Sequence, residues 1–183
     1  MTAILKVDTI QDTSGNNIIN ESSDTITIGA SGDTTNIVGT LQNNGSALVT
    51  GKVLQVVTAT DSANYSITST SFVNSSNGLT LNITPSATSS KIFVQVSVAN
   101  MFGASGNNLF LTIYRDSTNL GGTNGMAING GFNESVPASM SILDSPSTTS
   151  STTYRVYARV TGGTSDYGNG NAVSTITAFE IGA

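Results

Sequence analysis

With eleven acidic and six basic side chains among 183 residues, a net charge of -5 and neither histidine nor cysteine, the chain lacks the groups on which several kinds of chemistry depend. Charged residues make up 9% of it, against about 25% in ordinary globular proteins, and neutral Ser, Thr, Asn and Gly stand in their place. Lys6, Lys52, Lys91, Arg115, Arg155 and Arg159 are scattered, which leaves no cationic stripe for nucleic acid.

The opening residues, Met1 to Asp8, hold no long apolar stretch after a basic start, so no secretory signal is expected. No later stretch approaches the roughly 18 apolar residues of a membrane span. Sequons such as Asn64-Tyr-Ser and Asn82-Ile-Thr are expected by chance in a chain this rich in Asn, Ser and Thr.

Every Phe and Tyr lies from Tyr65 onward, and this divides the chain into two regions, 1–50 and 51–183. In the first, Ile4 to Val7, Ile18-Ile19, Thr25 to Ile28 and Asn36 to Val38 are strand-like pieces separated by turn residues such as Ser14-Gly15-Asn16 and Ser31-Gly32-Asp33. A weak internal echo, Asp8-Thr9-Ile10 against Asp24-Thr25-Ile26, reads as successive β layers. Strands this short, without an aromatic residue, bury too little to offset about 1–2 kcal/mol of backbone entropy per residue. Three copies packing Ile4, Val7, Ile10, Ile18, Ile26, Ile28 and Ile37 around a shared axis would complete such a core. An obligate homotrimer with an N-terminal stalk or attachment region follows as the expectation. Asn43-Asn44-Gly45-Ser46 through Gly51 reads as the junction between regions.

From Lys52 the pattern is one of half-buried strands. Leu79, Leu81 and Ile83 form one face. Ile92, Val94, Val96 and Val98 alternate with Phe93, Gln95 and Ser97; Leu109, Leu111 and Ile113 alternate with Phe110, Thr112 and Tyr114. Tyr154, Val156, Ala158 and Val160 alternate with Arg155, Tyr157 and Arg159, and residues 173–181 add a last strand. Roughly eight strands joined by Gly/Asn/Ser turns predict an all-β, antiparallel, jelly-roll-like sandwich with almost no helix. Phe93, Phe110 and Tyr157 fall opposite the aliphatic faces; they are either a second core or a subunit contact, and the need to cover both faces favours the contact.

The missing histidine removes the usual general base and the Ser-His-Asp and Cys-His arrangements, and with cysteine also absent a zinc site is not expected. Paired carboxylates could still cleave glycosides, but Glu134, Asp144, Asp166 and Glu180 are isolated in sequence and read as solvated acids at turns and strand ends. Gly121-Gly122 and Gly130-Gly131 lack the Lys and following helix of a phosphate loop. No enzyme activity and no cofactor are expected. Binding has better candidates in three Asn/Gly-rich loops, Gly103–Asn108, Gly121–Gly131 and Gly162–Asn171. Amides of Asn107, Asn108, Asn129, Asn169 and Asn171 could bond a sugar's hydroxyls while Tyr167 stacks on its ring; equally, these are hairpin loops whose Gly and Asn supply positive φ.

Two stretches carry a resemblance. Ile4-Leu5-Lys6-Val7-Asp8-Thr9-Ile10-Gln11-Asp12 with Ser14-Gly15-Asn16-Asn17 resembles the N-terminus of fibre-like virion proteins of marine tailed phages, cyanophages especially. Ile83-Thr84-Pro85-Ser86, Ser89-Ser90-Lys91-Ile92, Tyr114-Arg115-Asp116 and Leu143-Asp144-Ser145-Pro146 are similar to the C-terminal domain of the same group. The resemblance implies a homotrimeric fibre assembled in the host cytoplasm, with other virion proteins held by its N-terminal region and a knob presented to a host-surface glycan or protein. At 183 residues the chain is short for a long tail fibre, so a short fibre, a head fibre or a capsid decoration protein also fits.

Overall fold

The computed structural model describes residues 38–39, 42–43, 46–47, 52–75, 78–168 and 170–182, of which 42–43 and 46–47 are described by backbone alone. The chain divides into two units, Met1–Leu48 and Val49–Ala183. The positions expected to form a trimer core, Ile4, Val7, Ile10, Ile18, Ile26, Ile28 and Ile37, lie outside the described residues.

In the first unit, β1 (Gln42–Asn43) pairs antiparallel with β2 (Ser46–Ala47). The register is Gln42↔Ala47 and Asn43↔Ser46. An antiparallel strand pair therefore falls within the stretch read from sequence as a plain junction.

The second unit holds β3 (Val53–Asp61), β4 (Asn64–Ile67), β5 (Val73–Asn74), β6 (Thr80–Ile83), β7 (Lys91–Gly103), β8 (Leu109–Arg115) and β9 (Thr118–Asn119). After these come β10 (Ala127–Asn129), β11 (Glu134–Asp144), β12 (Thr152–Val160), β13 (Ser165–Gly168) and β14 (Ser174–Ile181). They form two antiparallel sheets of six strands each. Short neighbours share a position: along one edge of β7 run first β14 and then β13, bordered in turn by β3 and β4, while β11 takes the other edge. In the second sheet β9 and β10 share one edge of β8, β12 takes the other, and β6 and β5 share the far edge of β12. Each sheet thus has four strand positions, and the chain switches sheets at every connection between positions except the turn from β8 to β9. That winding is a jelly roll.

The alternation read from sequence is what builds it. Ile92, Val94, Val96 and Val98 of β7, Leu109, Leu111 and Ile113 of β8, and Tyr154, Val156, Ala158 and Val160 of β12 are all 0% exposed. Ile176 and Ala178 of β14 and Leu79, Leu81 and Ile83 around β6 join the same core. Helix is absent among the described residues.

Strand β11 carries no strong alternation, which hides it in the sequence. It lies at an edge, where only one face of its ladder needs a partner, and its Pro137 falls at the register shift between Val136 and Ala138. Opposite it β7 carries two residues, Ala99 and Asn100, so the ladder is interrupted there, and such an irregularity at a sheet edge is where a residue that cannot donate a ladder hydrogen bond is tolerated.

Truncation inside the core separates it from the faces. Leu111→Ala should cost about 2–5 kcal/mol by loss of burial and creation of a cavity, while Thr175→Ala on the outer face should stay within about 0.5 kcal/mol. Urea midpoints of the two variants, at unchanged m-value, give the comparison.

Candidate functional site

Three loops meet at one end of the sandwich, and Asn107 stands at their centre. The turn between β7 and β8 is closed by the Asn107 N–H donating to Ala104 O at 2.8 Å, and the side chain donates to Ser105 O at 3.2 Å. Asn108 N–H donates to the Thr161 hydroxyl at 2.9 Å and its carbonyl accepts from Thr161 N–H at 3.0 Å, which ties in the loop after β12. The loop after β10 closes the third side: Gly106 N–H donates to Gly131 O at 3.0 Å. Gly131 needs its φ of +71°, and a Cβ there would lie 2.7 Å from the Asn107 backbone. Asn107 and Asn108 are therefore half-buried and hold the loops to one another.

Two of the expected receptor contacts are corrected. Tyr167, 1% exposed, points into the core of the first sheet against Tyr65, ring centroids 5.2 Å apart. Burial pushes its hydroxyl up to about 12, and the ring presents no face to solvent. Its neighbours in sequence gave it the look of a loop residue, but β13 alternates inward at Ser165 and Tyr167. Asn129, 5% exposed, is an internal tie: its amide nitrogen donates to Met101 O at 2.8 Å and Glu134 O at 3.0 Å, and its oxygen accepts from Gly131 N–H at 3.2 Å. It joins β10 of one sheet to β7 and β11 of the other. Asn171 is exposed, and Asn169 lies outside the described residues. Sequence reasoning passed over Phe132, whose ring is 78% exposed beside the Asn107 cluster.

The middle of the Gly121–Gly131 loop lies elsewhere, folded back over the outer face of the second sheet. Met126 N–H donates to Leu111 O at 2.8 Å, the Thr112 hydroxyl donates to Asn119 Oδ1 at 2.8 Å, and Arg159 donates to Thr123 O and Asn124 Oδ1 at 3.1 Å each. The Arg159 guanidinium covers the Phe110 ring at 3.9 Å, and Tyr157 stacks on Tyr114 at 3.8 Å. Phe110 and Tyr157 belong to a second core that this chain covers for itself, so no subunit contact is needed to explain them.

Phe93 is different. On the outer face of the first sheet the register aligns Val56, Phe179, Phe93 and Leu143 in one row across four strands. Val56 is 54% exposed and Leu143 55%, with the two Phe rings 6.1 Å apart between them. The next two rows are Thr58, Thr177, Gln95, Ser141 and Thr60, Thr175, Ser97, Ser139. Not one of these positions carries a charge.

The four acids singled out from sequence divide. Glu134 is exposed, and Asp166 accepts a hydrogen bond from the Ser66 hydroxyl. Asp144 and Glu180 are not solvated turn acids: they are 8% and 0% exposed. Asp144 accepts from Arg115 at 2.8 and 2.9 Å and from the Tyr154 hydroxyl at 2.6 Å, linking the edge of one sheet to the middle of the other. Burial, with Asp144 beside it, raises the Tyr154 hydroxyl far above its ordinary range. Glu180 accepts from Gln55 at 2.6 Å, Ser86 N–H at 2.7 Å and the Ser86 hydroxyl at 2.6 Å. Both acids flank Ile92 in one inward row, roughly 9–10 Å apart at two strand spacings. Ile92, 0% exposed, fills the space between them, so they share no cleft in which a glycosidic bond could lie.

Burial by itself raises the Glu180 carboxyl; the hydrogen bonds from Ser86, Ser90 and Gln55 outweigh it and hold it at about 2. A carboxyl depressed on folding stabilises the native state above its unfolded value and loses that contribution as pH falls toward the folded one. Stability should therefore drop between about pH 4.5 and pH 2, and Glu180→Gln should flatten that drop in denaturant titrations at stepped pH. Glu180→Ala, which leaves buried donors unpartnered, should cost about 1–3 kcal/mol at neutral pH.

No protein-family model matches the chain, and no curated protein matches it. Among solved structures it is similar to the infectious bursal disease virus Gx strain structure, at 15% identity and a TM-score of 0.37, covering 80% of this chain and 42% of that one. A VP2 subviral particle of infectious bursal disease virus matches at 16% identity and a TM-score of 0.35, with the same coverage. The chain spans less than half the length of the viral chains it matches.

Proposed function

We propose that this chain is a non-enzymatic structural protein of a tailed-phage virion, a homotrimer whose jelly-roll unit is a knob facing the host surface. The observation that carries the reading is the outer face of the first sheet. A row of Val56, Phe179, Phe93 and Leu143 followed by two rows of Thr, Ser and Gln carries no charge, with Lys91 alone bordering it on β7, where solvent-facing strands ordinarily carry more. Such a face favours burial against protein, and a second copy of the chain is the occupant that brings no charge of its own to be desolvated. The opposite face, closed by Arg159 and the loop from Leu120 to Met126, needs no such cover. The resemblance to fibre-like phage proteins supports the same reading, with the N-terminal region engaging other virion proteins.

Capsid decoration is the second reading, and the same uncharged face favours it if the covering surface belongs to another virion protein. Light scattering on the purified full-length chain distinguishes them. A mass three times that of the chain supports the fibre, and a monomer overturns it in favour of decoration. Val56→Lys with Leu143→Lys, both on exposed positions, should convert the trimer to monomer with the β-sheet circular dichroism unchanged; a trimer that survives both changes places the contact elsewhere.

A further inference from the structure

Two Asn-Gly pairs lie wholly among the described residues, Asn124-Gly125 and Asn129-Gly130. Asparagine followed by glycine is the pair most open to succinimide formation, because no side chain shields the backbone nitrogen that attacks the amide carbon. The fold treats the two pairs in opposite ways. Asn129 is 5% exposed, its amide nitrogen donates to Met101 O and Glu134 O, and its oxygen accepts from Gly131 N–H. Cyclisation there would have to give up all three bonds inside the fold. Asn124 is exposed, in the turn that Gly125 N–H closes on Gly122 O at 2.9 Å. Gly122 and Thr123 beside it are exposed as well. Its side-chain hydrogen bond comes from Arg159, which donates to Asn124 Oδ1 and to Thr123 O at 3.1 Å each.

From this contrast we infer that Asn124 is a site of spontaneous deamidation, promoted by Arg159, and that Asn129 is spared. The exposed turn opens first, which frees Gly125 N–H from Gly122 O. The Gly125 nitrogen gives its proton to hydroxide and bonds to Asn124 Cγ. The Cγ–Nδ2 bond then breaks, and the nitrogen leaves as ammonia with a proton from water, which restores the hydroxide. Water opens the resulting five-membered imide at either carbonyl, giving aspartate or isoaspartate at 124. Negative charge gathers on Oδ1 during the attack, where the Arg159 guanidinium already donates, and donors placed where charge develops lower a barrier. The glycine is fixed by the fold: its φ is +71°, and a Cβ at 125 would collide with the Leu111 carbonyl. The susceptible pair is thus a consequence of how this loop folds back over β8. The product sets a carboxylate against Arg159, whose guanidinium has no acidic partner among the described residues, and adds a negative charge to a chain of net charge -5. Aspartate would tighten the loop over the Arg159–Phe110 contact, whereas isoaspartate, with one more carbon in the backbone, would break the turn.

The test is peptide mapping of the full-length chain after storage at mildly alkaline pH, folded in buffer and unfolded in urea. Trypsin releases residues 116–155 as one peptide carrying both pairs, and fragmentation assigns the one-dalton gain and any isoaspartate to 124 or 129. In urea the two pairs should convert at similar rates. In the folded chain conversion at 124 should exceed that at 129 at least about tenfold. Asn124 left intact in the folded chain while the unfolded chain converts, or equal conversion at 129, would overturn the proposal. Arg159→Gln should slow conversion at 124 in the folded chain at least about twofold and leave the rate in urea unchanged; an equal or faster folded rate removes Arg159 from the reaction. Asn124→Asp supplies the aspartate product alone. Its urea midpoint should rise at low salt and fall back at high salt, as an exposed ion pair does, and a midpoint that ignores salt would sink the pairing with Arg159. None of these readouts depends on whether the chain is a trimer or a monomer.

Discussion

The C-terminal unit depends on a single layer of aliphatic side chains shared by two sheets. Ile92, Val94, Val96 and Val98 come from one side and Leu109, Leu111, Ile113, Val156 and Ala158 from the other, all fully excluded from solvent. Because side chains alternate with a period of two, placing these residues inward fixes which residues every strand shows to the outside. The neutral face carrying Phe93 and Phe179, and the covered face carrying Phe110 and Tyr157, are consequences of that choice. A slip of one residue in β7 would exchange core for surface along thirteen positions.

Polar ties complete what the aliphatic layer leaves open at the two ends. At one end Asp144 receives Arg115 and Tyr154 while Glu180 receives Gln55 and Ser86; at the other Asn129 and Asn107 hold the loops. In a chain with so few charges, those that are buried have work inside the fold. A lone Arg115–Asp144 pair at the surface would contribute little, but here one carboxylate of the pair also satisfies a buried tyrosine hydroxyl.

Much of this was legible in sequence. The strands that alternate strongly, β7, β8 and β12, were readable because their inward residues are almost all apolar, and β14 because Ile176 and Ala178 alternate with Thr175, Thr177 and Phe179 although Ser174 and Glu180 also face inward. β11 was not, since an edge strand with Pro137 shows no regular pattern, and neither were the functions of Asp144 and Glu180. An acid at a strand end looks the same in sequence whether it faces water or a neighbouring sheet; the difference lies in partners 29, 94 and 125 residues away. Tyr167 and Asn129 were misjudged for the same reason, their loop-like surroundings hiding that β13 and β10 turn them inward.

The bulge at Pro137 also limits how copies of this protein can join. A sheet edge with regular, unpaired N–H and C=O groups is a template for another strand, and chains that add to it edge by edge grow into fibrils without limit. On β11 the proline has no N–H to give, and opposite it β7 inserts an extra residue that breaks the regular ladder. That edge is therefore a poorer template for strand addition than a regular one, in a chain with little charge to repel its neighbours.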